Sequence, residues 1–246
     1  SSQVYFADYD ENRVQKFGES TEYALVENVF LEIQQRYSKY GWMALVNDGF
    51  GQGFRICPTC GWAQVISFTQ NAPVAFGLGQ RSGATKGGHN HPVTGEPCSG
   101  TTFTRHLGHR YLTDVLELRM YGTSPLLRNP NAMRSLMYAL LDGASKTLGI
   151  RRDDIDGTLF YRNYGDPPSL ILFDTVPGGA GHVEHIRNSL RQAAEAGLKK
   201  VESCQCGQPN GDTSCYNCLR NYRNQRFHDE LQRIYAIQLL KMIVNA

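Results

Sequence analysis

The sequence predicts an α+β fold, a mixed sheet with flanking helices, interrupted by two cysteine knuckles. Stretches with apolar residues three and four apart alternate with short runs of strand-like pattern, there is no internal repeat or low-complexity tail, and all seven cysteines fall into two clusters. A chain of 246 residues can bury a sizeable core, and one elaborated domain over 1–246 is expected.

The elements follow in order. Tyr23, Ala24, Val26, Val29, Phe30, Ile33 and Tyr37 recur at helical spacing, so residues 21–40 are expected to form a long amphipathic helix capped by Ser20 or Thr21. Shorter β pieces are expected between Trp42 and Phe68, around the Gly49–Gly53 turn and the Cys57-Pro58-Thr59-Cys60-Gly61 knuckle, and residues 71–100 read as loop. Tyr111–Arg119 reads as a strand. Asn129-Pro130 and Gly149 bracket a helix over 131–148. Leu159–Tyr161 and Leu170–Phe173 read as strands, followed by a Gly-rich turn, a helix over about 182–196, the second cysteine cluster and a last helix over about 221–244.

Charge excludes some functions. With 25 Lys and Arg against 23 Asp and Glu, the formal charge of +2 gives no whole-chain field for nucleic acid, so any basic surface is local. No apolar run approaches the roughly 20 residues a membrane span needs, and no signal-peptide pattern opens the chain, so a soluble, cytoplasmic protein without membrane contact is expected. The absence of an initial Met suggests a fragment of a longer polypeptide.

Seven cysteines, an odd number, suit metal sites mixing Cys with His better than a disulfide framework. Cys204, Cys206, Cys215 and Cys218 lie within fifteen residues, with Gly207, Pro209, Asn210, Gly211 and Asp212 supplying turns, so four thiolates can surround one tetrahedral zinc. Cys57 and Cys60 form a second knuckle, and Cys98 is the one cysteine left to join them, with an imidazole from His89 or His91; spacing leaves the histidine open and leans slightly to His91. Two zinc ions are thus expected, one held by three cysteines and a histidine in a front lobe over about 41–105, the other by four cysteines in a knuckle over about 202–220. Closed sites of this kind stabilise folding and do not activate water.

Other chemistry is sparser. The turn Asp174–His182 could present amides to a phosphate at a helix N-terminus, or Asp174 could make local hydrogen bonds there. Arg220, Tyr222, Arg223 and Arg226, directly after the last cysteine, form the best local candidate for nucleic-acid contact, with guanidinium groups on phosphates and an aromatic ring on an unpaired base; the competing reading packs Tyr222 and Phe227 inward and gives the arginines to internal carboxylates. No nucleophile with its base, H-E-x-x-H, G-x-S-x-G or DEAD-type box occurs, so no catalytic residue is assigned and this chain is not expected to be an enzyme.

The stretch Leu172-Phe173-Asp174-Thr175-Val176-Pro177-Gly178-Gly179-Ala180-Gly181, then Cys204-x-Cys206, Ser214–Tyr222 and Asn224–Asp229, with the Cys57–Cys60 knuckle and Cys98 in front, resembles the MrfA-type zinc-binding domain, also called domain of unknown function 1998, from about Gly41 to Arg233. The front knuckle looks more like the DrmB-type branch. The resemblance implies a zinc-binding accessory module of DEAD/DEAH-like helicase systems in DNA repair or anti-phage defence, with the motor in cis or on a separate subunit. It implies help with DNA binding or assembly; the alternative is docking to protein alone, and a third reading is a phosphate-dependent enzyme at residues 174–182.

Overall fold

The computed structural model describes residues 2–9, 21–26, 29–47, 49, 52–66, 85–86, 88–163 and 165–245. The chain divides into two compact units: a smaller one of Ser1–Tyr5 and Ala44–Arg110, and a larger one of Phe6–Met43 and Tyr111–Ala246.

Strands β1 (Ser2–Tyr9), β2 (Thr21–Val26) and β3 (Val29–Asn47) open the chain. After the smaller unit's strands come β10 (Leu107–Gly122), β11 (Ile155–Phe160) and β12 (Ser169–Asp174). The main sheet runs β1-β3-β10-β12-β11, with β2 paired to β3. β12 is antiparallel to both neighbours, Leu172 lying opposite Leu116 on β10 and opposite Gly157 on β11.

The expected helix over 21–40 is instead the pair β2 and β3, whose register sets Val26 opposite Val29 and Thr21 opposite Gln34. The apolar positions allow either period, but Leu31, Ile33 and Tyr37 are all buried in the core, and their spacings of two and four put them on one face of a strand. Val29, Phe30, Ile33 and Tyr37 are also β-branched or aromatic, types that fit a pleated surface. Ser20, one proposed cap, lies outside the described residues.

Helix α1 (Pro130–Leu148) forms as expected. The Asn129 side chain accepts from the amides of Asn131 and Ala132 at 2.9 and 3.2 Å, and Gly149 ends the helix at φ +66°, a left-handed conformation that disfavours any residue with a Cβ. The expected helix over 182–196 is two, α2 (His182–Asn188) and α3 (Leu190–Ser203). The break is at Ser189, whose ψ is 29° and whose hydroxyl donates to the His185 carbonyl at 2.7 Å. α4 (Arg233–Val244) starts twelve residues later than expected. Where it was expected, the buried Asn224 takes the Asn221 amide at 2.8 Å and donates to the Leu219 carbonyl at 2.9 Å, replacing helical pairing with a compact turn.

Leu116, Leu118, Leu170, Leu172 and Ile33 of the sheet pack with Met133, Leu136 and Leu140 of α1 in one core cluster. α1 and α3 cross closely: a Cβ on Gly143 would stand 2.0 Å from the Ala193 carbonyl oxygen, and one on Gly197 2.6 Å from that of Ala139. Among the described residues no helix is long and apolar enough to cross a membrane.

The smaller unit holds β4 (Phe54–Ile56), β5 (Ala63–Val65), β6 (Thr85–Lys86) and β9 (Thr101–Arg105) in the order β5-β4-β9-β6, and the hairpin of β7 (His89–Asn90) with β8 (Pro97–Cys98). The stretch expected as loop over 71–100 therefore carries three two-residue strands; its residues 71–84, like 50–51 of the Gly49–Gly53 turn, lie outside the described ones.

Candidate metal centres

The first centre is built by two turns. The Cys57 amide donates to the Trp62 carbonyl at 2.8 Å and the Gly61 amide to the Cys57 carbonyl at 2.9 Å, closing the knuckle between β4 and β5; Gly61 sits at φ +76°. Opposite it, the β7–β8 hairpin pairs His89 with Cys98. Cys57, Cys60, His89 and Cys98 offer ligand atoms all within 4.8 Å of one another. Cys60 Sγ lies 3.3 Å from His89 Nε2, and Cys57 Sγ lies 4.0 Å from Cys98 Sγ. Cys57 is fully buried and His89 nearly so, its ring 4.9 Å from that of Trp62.

His89, not His91, is the histidine that joins the cluster, against the slight lean from spacing. His91 closes the hairpin: its amide donates to the Glu96 carbonyl at 2.8 Å, and its Nδ1 accepts from the amides of Val93 and Thr94, each at 3.2 Å. The turn signal Pro92–Gly95 carried this information, because a closure between residues 91 and 96 sets residue 89 opposite residue 98. Gly100 is a further residue the sequence reading missed. Its amide donates to Cys98 Sγ at 3.3 Å, and a Cβ there would stand 2.6 Å from Cys57 Sγ.

The second centre follows α3 directly, Cys204 being its C-cap. Sulfur separations are 3.5 Å for Cys204–Cys206 and Cys204–Cys215, 3.6 Å for Cys206–Cys218 and 3.9 Å for Cys215–Cys218. A tetrahedron with Zn–S bonds of about 2.3 Å has edges of about 3.8 Å, so four thiolates placed this way fit one zinc. All seven cysteines are free thiols. Arg233, buried at the start of α4 and also missed by sequence reading, braces this loop: its Nε donates to the Cys206 carbonyl at 3.1 Å and its Nη1 to the Val201 carbonyl at 3.3 Å.

The thiols are unequal. Burial pushes Cys57 up, but hydrogen bonds from the Cys60 and Thr59 amides and the Cys60 and His89 side chains outweigh it and hold Cys57 down at about 6. At Cys204 burial is likewise outweighed, by the Cys206 amide and the neighbouring thiols, leaving it at about 7. Burial raises Cys60, Cys206 and Cys218. A metal entering either centre displaces the protons that such raised thiols hold.

The Gly-rich turn is filled from within. Asp174, fully buried at the end of β12, accepts from the amides of Ala180 at 2.6 Å, His182 at 3.1 Å and Val183 at 3.1 Å, while Asp114 accepts from Gly181 at 2.8 Å. These are the amides a phosphate would need, so the phosphate-dependent reading loses its site and the local hydrogen-bonded turn is what forms. Burial raises the Asp114 carboxyl against the pull of the Gly181 amide.

The four residues suggested for nucleic acid divide. Arg220 turns back, its Nε donating to Ser214 Oγ at 3.1 Å, and Arg223 lies 3.5 Å from Asp153 in an exposed pair. Tyr222 is 82% exposed, and Arg226 is exposed with its guanidinium 5.2 Å from the centre of the Phe227 ring.

An α+β chain with one Cys₃His and one Cys₄ cluster, both of tetrahedral size, is a zinc-binding protein with two centres. The family is found over residues 136–219, which match the MrfA Zn-binding domain; the chain carries that domain there, and the second centre lies within it. Druantia protein DruE of Escherichia coli (strain UMEA 4076-1) is 32% identical over 214 residues, covering 79% of this chain and 11% of that protein. This chain therefore spans about a tenth of that relative's length. Two crystal structures of the DUF1998 helicase MrfA, one bound to DNA and one to DNA and AMPPNP, match with TM-scores of 0.46 and 0.39 at 14% and 10% identity. They cover 99% and 92% of this chain and 25% and 22% of theirs.

Proposed function

We propose that the chain is a single zinc-stabilised accessory module of a DEAD/DEAH-type helicase system, helping to bind DNA and assemble the complex while a motor, in cis or on another subunit, supplies the chemistry. The observation that carries this reading is the second centre: a closed Cys₄ site inside the MrfA Zn-binding domain, followed by Arg220, Arg223 and Arg226 with no acidic residue from Ser214 to His228. A closed site has no open position for water, so its role is to hold that surface in shape. The setting we propose is anti-phage defence or DNA repair in the cytoplasm, and the likeness to a Druantia protein supports the first of these.

The test is binding of single-stranded and duplex DNA at several salt concentrations. Association that weakens as salt rises, and weakens further on replacing Arg223 or Arg226, is expected; no association under any condition overturns direct DNA contact. The internal bonding of Arg220 and Arg223 favours a second reading, docking to a protein partner alone, and that reading predicts capture of a motor subunit without DNA binding.

A further inference from the structure

We infer that the rim of the second zinc centre is a stacking platform for unpaired bases, formed by Tyr216 and Tyr222, so that the module takes single-stranded nucleic acid in preference to duplex. This rests on the DNA-binding reading and sharpens it.

Tyr216 lies between two zinc-ligand cysteines, Cys215 and Cys218, and is 61% exposed; Tyr222 is 82% exposed. A single exposed tyrosine needs no explanation. These two share one small framework. The Tyr216 ring meets His228 edge to face at 5.4 Å, and His228 Nε2 donates to the Asn221 carbonyl at 3.1 Å and to Asn224 Oδ1 at 3.0 Å. Asn221 Oδ1 in turn accepts from the amides of Arg223 and Asn224 at 2.9 and 3.0 Å, fixing the turn that carries Tyr222. Tyr216 is thus tied to the turn that carries Tyr222, and the backbone of that turn is already bonded on the protein side, which lowers the ordering cost of binding.

Charge selects the occupant. Fifteen residues from Ser214 to His228 hold three arginines and no acid; the exposed Arg223, 3.5 Å from Asp153, and the exposed Arg226 follow Tyr222 by one and four residues. Aromatic faces beside arginines suit a polyanion whose flat groups are free to stack, which is single-stranded nucleic acid; in a duplex those faces are already covered. Phe227, by contrast, has the Arg134 guanidinium 4.1 Å from its ring centre and is packed against the core, so it belongs to the scaffold.

The experiment uses the zinc-loaded full chain and three labelled probes: oligothymidylate, an abasic oligomer of the same length, and a blunt duplex. Oligothymidylate is expected to bind tightest. Tyr222→Ala and Tyr216→Ala each weaken it about tenfold, Tyr→Phe leaves it within about twofold, and neither alanine changes abasic binding, because one stacked base accounts for a loss of that size. Unchanged zinc content shows that the variants are folded. Salt-dependent binding that is indifferent to both alanines, or equal for duplex and single strand, overturns the platform while leaving the DNA-binding reading intact. Absence of binding to all three probes overturns both.

Discussion

The two metal centres have the same size and opposite construction. The second draws its ligands from fifteen consecutive residues, and Cys218 is buried in the main core cluster beside Leu219. The first draws on a span of 42 residues, from Cys57 to Cys98, and sits among strands two to five residues long. The longer span costs only about 1 kcal/mol more in closure entropy, small against the ~10 kcal/mol a structural zinc can contribute. What separates the centres is therefore what surrounds them: helices and a large core for the second, short strands for the first. The first should depend on its metal for most of its order, and the second should share its load with the core.

The largest effect expected is from Cys218→Ser. It removes a ligand and puts a hydroxyl into the core, so one zinc is lost and the cost approaches the ~10 kcal/mol scale of the site; zinc content and thermal unfolding of the variant measure it. His89→Ala is expected to empty the first centre alone, lowering zinc from two ions to one while helical circular dichroism is retained; a loss of helix signal would show that the centres do not stabilise separate regions. Arg233→Met leaves the Cys206 and Val201 carbonyls without their donor, for a loss of about 3 kcal/mol in urea unfolding with zinc content kept. Gly100→Ala sets a methyl against Cys57 Sγ and is expected to cost about 2 kcal/mol and to speed zinc release from the first centre to a chelator. The smallest effect is His91→Ala, about 1 kcal/mol from the hairpin turn with both zinc ions retained.

Elements whose signals were local were legible in the sequence. Asn129-Pro130 and Gly149 mark the ends of α1 because capping acts within a few residues, and Cys204 to Cys218 cluster in sequence as they do in space. The first centre was legible in its cysteines and open in its histidine, since that choice is made by hairpin register. β3 was misread because Val26, Val29, Phe30, Ile33 and Tyr37 satisfy a period of 3.6, whereas Leu31, Ile33, Gln35 and Tyr37, buried on one face while Arg36 and Ser38 are buried on the other, satisfy a period of two, and only pairing with β2 and β10 decides between them. The late start of α4 was hidden for a related reason: the apolar pattern around Leu219 to Phe227 is compatible with helix, and the buried hydrogen bonds of Asn224 override it. Arg233 gave no signal, as its partners are backbone carbonyls that no side-chain pattern reveals.

Elemental analysis of the purified chain, combined with thiol titration after denaturation, bears most directly on two zinc ions organising the structure. Two zinc ions per chain and seven titratable thiols are the expected result. A chain that keeps its fold with no zinc, or that yields fewer thiols because its cysteines are bridged, would contradict it.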